Sequence, residues 1–107
     1  MGYGQDARLV FPDELAEAVL WYEARRHGLG SEFLDEVQAT LPFIGGRPRS
    51  FPRLQDVDAT LEIRRALLAR FPYALVFLVR EDEVRVLAVA HAKRRPGYWL
   101  SRVRRKG

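Results

Sequence analysis

The chain has no cysteine. Neither a disulfide nor a thiolate metal site can therefore brace it, and the composition suits a reducing compartment, so the cytoplasm is the expected location. Histidine is scarce too, with His27 and His91 the whole supply. No cluster of histidine and carboxylate has ligand spacing, which argues against a metal, and no cofactor is expected. The longest apolar runs, such as ALVFLV at 74–79, fall far short of the ~18 residues of a membrane helix. The opening MGYGQDARLV lacks the charged start and apolar body of a signal peptide. Internal repeats and low-complexity segments are missing as well. The 107 residues are expected to form a single domain, residues 1–107, large enough for a modest core if helices and sheet cover each other.

What is present is positive charge, and it is unevenly placed. The net charge is +4, but residues 1–40 hold eight acids against three bases, whereas residues 91–107 hold seven bases and no acid. Arginine outnumbers lysine sixteen to two, and its planar fork suits phosphate and carboxylate alike.

The pattern predicts an α+β fold of order β-α-α-β-β-β. RLVF, Arg8–Phe11, reads as a short strand ended by Pro12. Asp13 and Glu14 place negative charge in a first helical turn, and Leu15, Val19 and Tyr22 make an apolar stripe. Gly28-Leu29-Gly30 reads as a tight connection to a second helix, capped by Ser31 and carrying Phe33, Leu34, Val37 and Leu41. Pro42 should end that helix or kink it. Residues 45–58, rich in Gly, Pro and Arg, read as one long loop. A three-stranded antiparallel meander follows, with strands at 61–66, 74–80 and 84–91 and a polar turn at 81–83. A basic tail closes the chain, with one possible helical turn after Pro96. Both helices should pack on one sheet face, leaving the other open.

Strict alternation in the last strand puts Val84, Val86, Ala88 and Ala90 under the helices. Arg85 and His91 then emerge on the open face, with Lys93, Arg94 and Arg95 just beyond. His91 is either a strand-end residue bonded to a loop carbonyl or a proton-transfer group. Trp99 either pins the tail to the sheet or binds a ligand. The Tyr98 hydroxyl has the chemistry to exchange a proton, and its ring can stack on a base. One of Arg64 and Arg65 must face the helices, where it needs an acidic partner; the other faces outward and could clamp a phosphate with Arg85 and Lys93. Arg102 and residues 104–106 read as a solvated end.

Three segments carry a resemblance: WYEARRHGLGSEFLDEV, IRRALLARFPYALVFLV and VLAVAHAKRRPGYWLSR. Together they are similar to the RelE/ParE superfamily of type II toxins, known from plasmid stabilisation systems, over about Arg8 to Arg102. The resemblance implies a growth-inhibiting toxin held as a hetero-oligomer with a cognate antitoxin, whose acidic segment would lie over the basic C-terminal region. Two targets are implied, with ribosome-dependent mRNA cleavage the leading reading and gyrase inhibition the alternative. RelE-like members cut mRNA on the ribosome without a metal, and ParE-like members inhibit DNA gyrase without nuclease activity. A third reading is an inactive or non-toxic basic module.

Metal-free RNA cleavage needs a base, an acid and cations for the phosphate. On the nuclease reading His91, Tyr98 and Arg64 are the catalytic candidates, and Arg65, Arg85, Lys93, Arg94, Arg95 and Trp99 bind substrate. The chain departs from RelE where Tyr73 is followed by Ala74 rather than arginine.

Overall fold

The computed structural model describes residues 7–10, 12–55 and 57–103. Strand β1 (Arg8–Leu9) leads into helix α1 (Pro12–Arg25) and helix α2 (Leu29–Gly46). After a 3-10 turn at Pro48–Ser50 come β2 (Ile63–Leu67), β3 (Tyr73–Val79) and β4 (Val84–His91), then a 3-10 helix at Tyr98–Arg102. The four strands lie in the order β1-β4-β3-β2, with β1 parallel to β4 and the other pairs antiparallel. This is the expected α+β meander with an added parallel edge. Phe11 and residues 104–107 lie outside the described residues.

Local chemistry accounts for the helical hairpin. Pro12 opens α1, where its missing N–H costs nothing, and Asp13 and Glu14 follow in the first turn. Gly28 has φ 89°, a left-handed conformation that favours glycine. Its N–H and that of Gly30 donate to the two carboxylate oxygens of Glu23, at 2.9 and 3.0 Å. These bonds let α2 begin at Leu29, two residues before Ser31. Pro42 does not end α2, which continues to Gly46. A proline inside a helix costs about 3 kcal/mol. Full burial of Ile44 in the next turn, with about 1.5–3 kcal/mol of apolar transfer, largely offsets it.

The main core lies between the hairpin and one sheet face. Phe33, Val37, Ile44, Leu75, Phe77 and Val86 are all fully buried there, and Tyr22, Phe33, Phe71 and Tyr73 form an aromatic cluster with ring centroids 4.9–6.0 Å apart. Glu36 accepts the backbone N–H groups of Ala69 and Arg70, tying the β2–β3 connection to α2.

Two expectations fail on the reverse face. It is not open: Ile63, Val76, Leu78, Leu87 and Ala88 form a second buried cluster there, roofed by Trp99 and Val103 and flanked by Leu54, Val57 and Leu61. Nor does β4 alternate throughout. Val76 pairs with Ala88 but Phe77 pairs with Val86, so Leu87 is an extra residue in β4. Such a bulge reverses the facing of everything after it. Val84 and Val86 face the helices as expected, but Ala88 belongs to the reverse face, Ala90 packs against that cluster, and Val89 takes the helix side. His91, two residues on, therefore lies on the α1 side of the sheet end rather than beside Arg85.

The long loop is partly structured. Leu54 N–H donates to the Ile63 carbonyl at 2.8 Å, and Arg65 N–H donates to the Pro52 carbonyl at 3.1 Å. Residues 52–54 thus run along the outer edge of β2.

A candidate anion-binding groove at the end of the sheet

The groove forms where β2 and β4 end and β3 begins. Tyr73 pairs with His91, and Leu67 with Ala74. The chain then turns through residues 92–97, with Arg94 N–H donating to the His91 carbonyl at 2.9 Å, and Gly97 at φ 83° starts the 3-10 helix. That reversal sets Trp99 against the sheet and leaves a cleft of about 330 Å³ between turn and strands. Its walls include apolar Leu67, Val76 and Ala90, while Arg65, Arg94 and Arg95 supply cations. All three arginines are exposed.

His91 lines this cleft. Its ring meets Tyr73 edge-on with centroids 5.0 Å apart, and its Nδ1 accepts the Lys93 N–H at 3.0 Å. An Nδ1 that accepts puts the proton of the neutral ring on Nε2. In this geometry the imidazole offers a donor, not a vacant base. The bonding partner is a loop N–H, not the loop carbonyl expected of a strand-end histidine.

Tyr98 is also at the groove, but its hydroxyl is engaged. It donates to Glu14 Oε1 at 2.8 Å, and the ring packs against the guanidiniums of Arg94, 3.9 Å from its centroid, and Arg102, at 5.1 Å. Burial first, and the Glu14 hydrogen bond second, push its pKa up to about 12. The phenol stays protonated at neutral pH, so it is no general base.

Glu14 is the residue that sequence reasoning missed, because Pro-Asp-Glu reads simply as a helix start. Its Oε2 accepts the Val89 N–H at 2.7 Å and an Arg102 N–H at 3.1 Å, and Arg102 also donates to the Leu87 carbonyl at 2.9 Å. Paired register with β1 stops at Val86. Beyond it, the Glu14–Arg102 ion pair bonds the β4 backbone in place of a neighbouring strand, which closes an edge that would otherwise invite pairing. Arg102 is thus part of the fold rather than a solvated end.

The other candidates separate. Arg64 faces the helices, and its partner is Glu62 itself, at 2.8 Å, with the Phe51 carbonyl at 2.6 Å. Burial alone would raise the Glu62 pKa, but hydrogen bonds from Arg49 and Arg64 outweigh it and hold the carboxyl below its ordinary value. Arg64 pairs with Phe77, four residues along β3 from the Tyr73–His91 pair. Arg85 is 6% exposed and donates to the Val103 carbonyl at 2.8 Å, at the far end of β4 beside Arg8. Neither reaches the groove. Lys93 contributes its backbone N–H, and Trp99, 5% exposed, is chiefly the pin that holds the 3-10 helix to the sheet. His91, Tyr98, Arg65, Arg94 and Arg95 are the candidates brought together, with the buried Trp99 also lining the cleft.

Tyr73 joins them without having been singled out. Its hydroxyl bonds no described residue, and burial, followed by the nearby Tyr22 and Glu14, raises its pKa. The signal was present in FPY, where an aromatic ring opens a strand.

Comparison with protein-family models, with curated proteins and with solved structures returned no match. Among the described residues, no helix is long and apolar enough to cross a membrane. The groove itself presents donors: three guanidiniums and an imidazole N–H around an apolar floor. That arrangement can hold an anionic group whose neighbouring atoms are apolar or planar.

Proposed function

We propose that this chain is the toxin of a type II toxin–antitoxin pair, acting in the cytoplasm and kept harmless by an antitoxin whose acidic segment covers the groove. The carrying observation is the convergence of Arg65, Arg94, Arg95 and His91 on one cleft, at the end of the segment most like the RelE/ParE superfamily.

Of the two targets, inhibition of DNA gyrase by binding fits better. Cleavage of RNA needs a group to take the 2′-hydroxyl proton. Tyr98 is committed to Glu14, His91 Nδ1 to Lys93, and Arg64 to Glu62, whereas binding asks only for a complementary surface. One observation supports the second reading, ribosome-dependent mRNA cleavage: Tyr73, whose hydroxyl bonds no described residue, packs its ring edge-on against His91.

The test is expression from a tight promoter, alone and together with any short acidic protein encoded beside it, followed by two purified assays. Growth arrest relieved by the partner, with blocked supercoiling and no cuts in ribosome-bound mRNA, is expected. Harmless expression of well-folded protein would overturn the toxin reading; discrete mRNA cuts would replace gyrase with the ribosome.

A further inference from the structure

A second groove, of about 390 Å³, lies on the other side of His91, between α1 and the sheet end. Its lining combines Glu17, Trp21, Tyr73, His91 and Arg94. Trp21 is 52% exposed; the Arg25 guanidinium lies over one face, 3.8 Å from the ring centroid, and the Tyr22 ring meets it at near right angles. The Glu17 carboxylate, one turn before it, bonds no described residue. The Arg94 guanidinium lies over the Tyr98 ring, 3.9 Å from its centroid, and its side-chain N–H groups donate to no described residue.

We propose that this groove binds a guanine base. The argument is one of matched edges. Guanine presents acceptors, O6 and N7, which an arginine fork meets in two bonds. Its adjacent edge presents donors, N1–H and the 2-amino group, which a carboxylate accepts. Adenine reverses the pattern beside its N7, with an amino donor where guanine has O6, so it sets a donor against Arg94. Cytosine offers an amino group to Glu17, but lacks the O6/N7 pair. The part of the Trp21 ring that Arg25 does not cover and the Tyr73 ring, both lining the groove, supply the contact on which an unpaired base rests. The volume suits a ligand of nucleoside size rather than a helix or strand. Arg94 and His91 line both grooves, so a base seated here places its own phosphate near the arginines of the first cleft. Such a guanine could come from RNA or from single-stranded DNA, and the proposal does not depend on which target the chain attacks.

The experiment is calorimetric titration of the whole protein with guanosine 5′-monophosphate and adenosine 5′-monophosphate, repeated with the 2′-deoxy forms. Guanosine monophosphate should bind about tenfold or more tightly than adenosine monophosphate, the discrimination expected of one good two-bond contact. Glu17→Ala, at an exposed position without hydrogen bonds to lose, should reduce that preference, with the remainder carried by Arg94, and Trp21→Ala should weaken both nucleotides. Tighter binding of the ribose form assigns the source to RNA; equal binding of the two sugars leaves DNA and RNA as equal sources and still supports the base site. Equal affinity for the two bases, no binding of either, or an unchanged preference in a folded Glu17→Ala variant would overturn it. A negative gyrase or ribosome assay leaves these outcomes untouched.

Discussion

The Tyr98 hydroxyl donates to Glu14 Oε1 at 2.8 Å across 84 positions of sequence, and this one contact joins the start of α1 to the helical turn that roofs the reverse sheet face. Around it, Glu14 also holds Val89 and Arg102. Both members of the Glu14–Arg102 ion pair keep less than a fifth of their side-chain surface exposed.

Glu14→Ala is expected to cost about 2–3 kcal/mol of stability, since it leaves a tyrosine donor, a strand N–H and a guanidinium each short of an acceptor. Urea unfolding measures it. A loss near zero would mean that solvent replaces Glu14 and that the roof is not latched there.

Titration of Tyr98 reports on the same contact. Its folded pKa, about 12, lies above the ordinary 10.0, so folding favours the protonated phenol. That stabilisation is complete below pH 10 and is lost as pH rises from there through about 12. Tyr22 and Tyr73 are raised as well, so absorbance titration should show late-ionising tyrosines of which one, near pH 12, disappears in Tyr98→Phe, and the variant should lose less stability than the parent between those limits.

Acid should act through the helical hairpin. Backbone hydrogen bonds, first from Gly28, hold Glu23 below the ordinary 4.5, and the Arg70 and Arg26 hydrogen bonds do the same for Glu32. A lowered carboxylate adds stability that is present above about 4.5 and fades as pH falls through the folded value. Glu23→Gln and Glu32→Gln should each flatten the fall in melting temperature below pH 4.5. Because both carboxyls are well solvated, the effect is salt-sensitive and modest.

Gly30 is the tightest point of that hairpin. A Cβ there would lie 2.6 Å from the Val19 carbonyl oxygen, so Gly30→Ala must push α1 and α2 apart. A loss of about 1–3 kcal/mol is expected. Gly46→Ala, where a Cβ meets nothing within 4 Å, is the control and should change little.

If the chain inhibits gyrase as proposed, Arg94→Ala and Arg95→Ala should each weaken that inhibition and reduce its dependence on salt, because each removes a guanidinium from an anion contact. His91→Ala should do so to a smaller extent, removing one N–H donor. If ribosomal cutting is found instead, Tyr73→Phe should lower its rate by about 10²-fold or more with the fold intact.

Much of the architecture was legible because it is local. Proline and acids at the start of α1, glycines at the hairpin and the spacing of Phe33 and Val37 depend on neighbours within a few residues. The covered reverse face was also written in β3, where Ala74, Val76 and Leu78 alternate with Leu75, Phe77 and Val79. With Tyr73 that makes seven apolar or aromatic residues in succession, which means two buried faces, and only the expectation of an open, basic surface obscured it. The bulge at Leu87 left no such mark. VRVLAVAH is apolar on both sides, so inserting one residue changes which side chains face the helices without changing the pattern.

By itself, then, the sequence determined the order of elements, the hairpin and the gathering of cations near the C-terminus, since short-range sterics and hydrophobic periodicity act along the chain. Tertiary structure alone decided which of those cations work together. Arg64 and Arg85 were absorbed by Glu62 and the Val103 carbonyl, and Glu14 was drawn to Tyr98 and Arg102. A charge taken out of water must find its partner wherever the folded chain puts one, and that distance is set by packing, not by position in sequence.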